Sequence, residues 1–221
     1  MSLQVETIRA NLAAVRERVG PGVQVLVATK YVTADELVVL RDAGVTLVGE
    51  NRTDALIHKQ ERFADAFTWD FIGHLQSRKA RDVIGRVRLV HALDSISVCR
   101  RFQERAERPV DCLLQVDVAG EETKSGITPD AVDAFLEEME PLDRVHLCGL
   151  MTMPPLAADP ESVRPHFTAL RELRDRLAPR WQGRHAFTEL SMGTSQDYAV
   201  AAEEGATIVR IGSVLFGDRR P

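Results

Sequence analysis

Only three cysteines occur in the chain, Cys99, Cys112 and Cys148, widely spaced and set among apolar neighbours. They make neither a disulfide framework nor a zinc pattern, which suits a reducing cytoplasm. No apolar run approaches the roughly 18 residues that span a bilayer, and the N-terminus lacks the apolar core of a signal peptide. Positive charge is in deficit: 28 Lys and Arg against 33 Asp and Glu leave a net charge of -5. Bulk electrostatic attraction to nucleic acid or to an anionic membrane is thereby excluded. No linker, low-complexity stretch or charge block interrupts the chain. The expectation is a cytoplasmic protein of one domain spanning 1–221, because 221 residues is an ordinary length for a single α/β barrel.

What is present is a globular composition, 44% apolar and 28% charged, arranged in alternating helix-like and strand-like segments. A helical face of Val5, Ile8, Leu12 and Val15 opens the chain. Short runs rich in β-branched residues then recur at 23–30, 45–49, 69–72, 87–93, 110–118, 145–151, 186–190 and 206–211. Helical patterns separate them. Thr33-Ala-Asp-Glu36 reads as a capping box, Asp94 and Ser95 as caps, and Thr128-Pro129-Asp130 as a helix start. Eight strands alternating with helices argue for a parallel sheet closed into a (β/α)8 TIM barrel, with an extra N-terminal helix outside it. An open doubly wound sheet would more often carry a Gly-rich first turn, and none follows Lys30.

The run Val-Gln-Val-Leu-Val-Ala-Thr-Lys ends in Lys30, at the carboxyl end of a buried strand. Barrels place their ligand sites there, and a partly desolvated lysine is a usable amine nucleophile. Asn51, His74, Lys124, Met151, Ser191, Ser195 and Arg210 also fall at or beyond carboxyl ends of strands. Each has a plainer use. Lys30 can simply snorkel, Asn51 cap a helix, His74 sit satisfied in the core, and Met151 and Met153 pack. Lys124 and Arg78 can be solvated loop charges. Their shared position favours a common site. Ser191-Met-Gly-Thr-Ser195 reads as a loop leading into a helix, and Gly212 and Ser213 follow the eighth strand. Hydroxyls and N–H groups in those two places make a phosphate cradle. An amine at strand one facing such a cradle suggests a phosphorylated aldehyde held as a Schiff base, and pyridoxal phosphate is the obvious candidate.

The motifs Val27-Ala-Thr-Lys30, Gly49-Glu-Asn-Arg52, Phe71-Ile-Gly-His-Leu-Gln76, Gly120-Glu-Glu-Thr-Lys-Ser-Gly126, Gly149-Leu-Met-Thr152, Leu190-Ser-Met-Gly193 and Val209-Arg-Ile-Gly212 run through nearly the whole chain. Together they resemble the pyridoxal-phosphate homeostasis proteins, relatives of the N-terminal barrel of alanine racemase. The resemblance implies a pyridoxal 5′-phosphate-binding barrel with the internal aldimine on Lys30. It also implies a phosphate held by Ser191 or Ser195 with Gly212 and Ser213, and Arg210 facing the pyridine nitrogen. Where the family often has two acidic residues after the second serine, this sequence has Gln196 and Asp197. An arginine at that nitrogen leaves the ring a weak electron sink, and after the eighth strand no room remains for a racemase's second domain. The expected role is therefore a monomeric carrier that buffers the cofactor and passes it to apo-enzymes, with no metal and no nucleic-acid or membrane partner. A racemase-like enzyme, and a barrel forming a lysine Schiff base directly with a sugar phosphate, are the alternatives.

Overall fold

Strand side chains alternate between two faces, and in a barrel one face looks to the axis and the other to the helices. The computed structural model of the chain, which describes residues 3–120 and 125–217, divides its strands in this way. They are β1 (Gln24–Ala28), β2 (Leu47–Glu50), β3 (Thr68–Phe71), β4 (Leu89–Leu93), β5 (Val110–Gln115), β6 (Val145–Met151), β7 (Glu189–Thr194) and β8 (Ile208–Ile211). All neighbours pair in parallel, and β8 returns to β1 with Leu26 opposite Arg210, closing the barrel. Leu26, Leu47, Leu89, Leu113, Met151 and Ile208 form a small cluster inside. The larger core lies between the sheet and its helices and includes Val27, Val48, Val90, Leu114 and Leu150.

The helices are α1 (Val5–Val19), α2 (Leu37–Asp42), α3 (Thr53–Phe63), α4 (Ile96–Arg105), α5 (Val132–Met139), α6 (Arg164–Arg180), α7 (Tyr198–Glu203) and the single turn α8 (Ser213–Phe216). The expected N-terminal helix, α1, lies outside the barrel and buries Ile8, Leu12, Val15 and Val19, packing on α2, α7 and α8. The Thr33–Glu36 box forms reciprocally, each backbone N–H donating to the other's side chain, at 3.0 and 3.3 Å. Ser95 does flank α4, but its hydroxyl bonds Ser97 and caps no backbone group. After β3 a 3-10 turn (Ser77–Asp82) stands in place of an α-helix. No described helix is long and apolar enough to cross a membrane, and the three cysteines are unpaired thiols.

Two expectations are corrected. The run ending in Lys30 stops being a strand at Ala28, and the chain turns so that the Val32 N–H donates to the Thr29 carbonyl. Tyr31 therefore lies under Lys30, its ring centroid 4.8 Å from the amine, instead of on an opposite strand face. The seventh strand begins later and runs further than its apolar pattern suggests, so Ser191 to Thr194 are strand residues and not loop.

An ion pair outside the barrel holds the end of β1. Glu50 and Lys59 are buried between β2 and α3 and bonded to each other. The Thr29 hydroxyl donates to Glu50 Oε1 at 2.7 Å, and Lys59 Nζ donates to the Thr29 carbonyl at 2.8 Å. A buried charge is tolerable only while its partner stays. Lys59→Met is expected to strand the Glu50 carboxylate and cost roughly 3–5 kcal/mol, read as a lowered denaturation midpoint. The double variant Lys59→Met, Glu50→Gln should regain part of that loss.

Candidate functional site

The carboxyl ends of the strands form one mouth, and the sequence-derived residues arrive there at different depths. Lys30 is exposed on its turn after β1. This differs from the expected partial desolvation, because the turn carries it clear of the strand layer. Asn51 is exposed after β2, where its N–H lies 3.3 Å from Glu50 Oε2; it caps no helix through its side chain. Gly73 crosses above it so closely that a Cβ there would fall 2.1 Å from the Asn51 carbonyl oxygen. His74 beyond it is half exposed, with Nδ1 3.4 Å from Asp94. Met151 is buried in the inner cluster, whereas Met153 is exposed. Lys124 lies outside the described residues.

Ser195 and the turn after β8 come together. Ser195 Oγ accepts the N–H of Gly212 at 3.0 Å and that of Val214 at 3.3 Å. Ser213 between them is exposed, and its N–H has no partner among the described residues. Three successive N–H groups and two hydroxyls are thus gathered in one place, two of the N–H groups donating to Ser195 Oγ; donors so clustered suit an anionic oxygen. Asp197 closes the preceding turn, accepting the Thr194 N–H at 2.6 Å and hydroxyl at 3.1 Å.

Ser191 stands apart from this cradle. It is fully buried on β7, and its hydroxyl is taken by His91 Nδ1 at 2.9 Å and Arg210 Nη1 at 2.6 Å. Its place in the strand turns it towards the axis, so the phosphate role given to it as a loop residue finds no support in its contacts. Arg210 completes its hold with the Ser191 carbonyl at 2.8 Å and the Thr152 carbonyl at 2.9 Å, all neutral oxygens. Burial lowers the guanidinium to about 10, with Asp197 opposing, so it stays charged at neutral pH.

Below Arg210 runs a polar chain that sequence reasoning missed. His91 Nε2 lies 3.0 Å from Asp70 Oδ2, and Arg88 grips both Asp70 oxygens at 2.9 and 2.6 Å. Burial pushes the Asp70 carboxyl up, but hydrogen bonds from His91 and Arg88 outweigh it and keep the group below the usual range. Burial pushes His91 down against the pull of Asp70. A neutral imidazole beside an anion must donate from Nε2, so Nδ1 accepts the Ser191 hydroxyl proton. Ser191 Oγ is then left to accept from Arg210, and every member of the chain is satisfied in one direction. The signal was available: Asp70 and His91 are polar residues in the middle of apolar strands, where a side chain needs a partner.

The family model of the alanine racemase N-terminal domain matches residues 3–220. A pyridoxal phosphate homeostasis protein of Aquifex aeolicus is 42% identical over 211 residues, covering 92% of each chain. The chain belongs to the pyridoxal phosphate homeostasis protein family. Among solved structures, PipY of Synechococcus elongatus, with PLP bound, is 32% identical at a TM-score of 0.85, covering 95% of this chain and all of that one. An alanine racemase of Clostridium difficile shares the fold at a TM-score of 0.80 and 15% identity; this chain is covered fully and spans 59% of that one. In this family member the motif Gly49-Glu-Asn-Arg52 includes one half of the buried pair that holds Thr29, the residue before Lys30.

Two histidines tie stability to pH. His91 is held below its ordinary value, and His185 is pushed down to about 4, first by burial and then by Arg184 and His146. The unfolded chain therefore binds more protons below pH 6.5, so stability present above that value is lost as pH falls, for His185 down to about 4. The His185 contribution is at most about 3 kcal/mol. Thermal unfolding should show Tm dropping steadily below pH 6.5. His185→Gln, which keeps an acceptor for the Leu147 N–H, should flatten the slope; an unchanged slope would remove His185 from this account.

Proposed function

We propose that this protein binds pyridoxal 5′-phosphate at the barrel mouth through a covalent bond to Lys30, buffers the free aldehyde and passes it to apo-enzymes. The name shared by its relatives and the PLP-bound state of PipY support the reading. The residues present suit the group: an exposed amine at Lys30, anion-seeking donors at Ser195, Gly212, Ser213 and Val214, and a buried cation in Arg210. Met151, Asn51 and His74 line the other strand ends. A cytoplasmic site of action accords with three free thiols.

Arg210 carries the case against catalysis. When bound, the cofactor supplies an aldehyde and a ring able to accept electrons from a substrate carbon. A ring nitrogen facing a charged guanidinium receives a hydrogen bond but no proton, which leaves the ring a poor electron sink. Arg210 cannot relinquish its proton at neutral pH, and its contacts are neutral oxygens, none a carboxylate. Acid–base groups are also sparse. Lys30 can serve one face of a bound amino acid, while Tyr31 lies beneath Lys30 and His74 sits beside Asp94.

Borohydride reduction of the loaded protein should fix label on Lys30, and Lys30→Ala should abolish it with the fold intact; label on Lys79 would overturn the assignment. Ser195→Ala should weaken binding of the phosphorylated vitamer by about 1–3 kcal/mol, and equal affinity for pyridoxal and its phosphate would remove the cradle. With L-alanine in deuterated water, α-proton exchange should be no faster than with free cofactor. Much faster exchange, lost on His74→Ala, would make the protein an enzyme.

A further inference from the structure

At the amino-terminal end of the barrel, opposite the mouth, three chemically different ligand atoms converge. Asp111 on β5 is paired with His146 on β6, and Cys148 follows two residues later on the same face. Leu113 and Cys148 both pack with the inner cluster, so Asp111 and His146, each two residues away, also face the axis. His146 Nδ1 lies 2.8 Å from Asp111 Oδ1 and 3.6 Å from Cys148 Sγ, and all three ligand atoms fall within 4.8 Å of one another. The pairing slips between β5 and β6 just beyond this point, with Cys112 opposite Leu147 but Leu113 opposite Gly149. Cys148 is the extra residue of that bulge, a feature that often re-aims a side chain at a site.

We propose that Asp111, His146 and Cys148 form a binding site for one divalent cation of the zinc class, with solvent completing a tetrahedral shell. A mixed oxygen, nitrogen and sulfur set suits Zn2+ and excludes the hard cations, which take oxygen alone. The spacing suits it as well. Bonds of about 2.3 Å to sulfur and about 2.0 Å to nitrogen put those atoms about 3.5 Å apart around a tetrahedral ion, against 3.6 Å between Cys148 and His146. The nitrogen-to-oxygen separation would be about 3.3 Å, so Asp111 must withdraw about 0.5 Å from its 2.8 Å bond to His146. Its side chain, 49% exposed, has room to do so, and the same exposure gives an ion its way in.

The surrounding charge favours a cation. Asp111 and Glu189 both act on the Cys148 sulfur, and Arg88, which opposes them, is already bonded to both oxygens of Asp70. The rival use of a Cys, His and Asp cluster, a free thiolate nucleophile, is disfavoured because burial and these carboxylates push the Cys148 thiol up to about 12. A metal would displace that proton to solvent as the sulfur–metal bond forms. His-x-Cys on one strand is no zinc signature, which is why spacing in sequence misses the cluster: the third ligand comes from the neighbouring strand.

Co2+ added to the tag-free protein is the direct test, read as a difference spectrum against the metal-free sample. One equivalent should give a thiolate-to-cobalt charge-transfer band, bleached by one equivalent of Zn2+. Cys148→Ser should lose the band, and His146→Ala and Asp111→Asn should weaken Co2+ binding at least about tenfold. Cys99 and Cys112 are buried and serve as internal controls. A wild-type spectrum without the band, or a band that survives Cys148→Ser, would overturn the proposal. If Cys148→Ser fails to fold, the Co2+ titration of His146→Ala, at a partly exposed position, decides the matter: binding weakened at least about tenfold supports the site, and unchanged affinity overturns it.

Discussion

Arg210 is charged, buried and bonded to no carboxylate among the described residues, and the interior of the barrel is arranged around keeping it so. Its bonds to Ser191 and Thr152 are with neutral oxygens. The carboxylate whose charge acts on Arg210 is that of Asp197, after β7, while Asp70 lies further down the axis, reached through Ser191 and a neutral His91. Buried charge survives only when hydrogen-bonded and paired somewhere nearby. Here Asp197 acts on Arg210 without a direct bond, and Arg88 at the amino-terminal end neutralises Asp70 directly. The result is a fixed donor below the mouth whose proton cannot be removed by a neighbour.

A second constraint acts from outside the sheet. Glu50 and Lys59 sit between β2 and α3, yet their bonds to Thr29 hold the residue immediately before Lys30. The mouth is thus held from both sides of the sheet, by the axial chain under β8 and by the buried ion pair behind β1. This gives a physical reason for the Gly49-Glu-Asn-Arg52 motif and the Val27-Ala-Thr-Lys30 motif to occur together. The glutamate of the first orients the threonine of the second.

The likeness to alanine racemases at 15% identity is one of fold, and a fold does not carry its chemistry with it. What a barrel offers is two ends with separate loop sets, joined by a packed interior. In this chain the carboxyl end gathers an amine, hydroxyls and backbone donors, while the amino end gathers a carboxylate, an imidazole and a thiol. Met151 and Leu113 belong to the inner apolar cluster, and beside it the chain Arg210–Ser191–His91–Asp70–Arg88 runs from below the mouth towards the amino end.

The sequence by itself determined the order of elements and the barrel, because strand and helix periods alternate eight times and parallel strands must bury both faces. It also marked Lys30, Ser195, Gly212 and Ser213 as ends of strands or turns, positions that local pattern reveals. Tertiary structure alone decided which polar residues meet. Ser191 lies 100 residues from His91, and His91 lies 21 from Asp70, yet the three bond through the barrel interior. Ser191 could not be told from a loop residue because Ser-Met-Gly-Thr has neither strand propensity nor clear alternation. Its burial follows from the pairing of β7 with β6 and β8. The turn at Lys30 was equally illegible, since Thr-Lys-Tyr reads as a continuing strand until the Thr29 carbonyl is claimed by Lys59 and Val32. Local sequence sets which bonds a residue can make; closure of the barrel sets which partner is within reach.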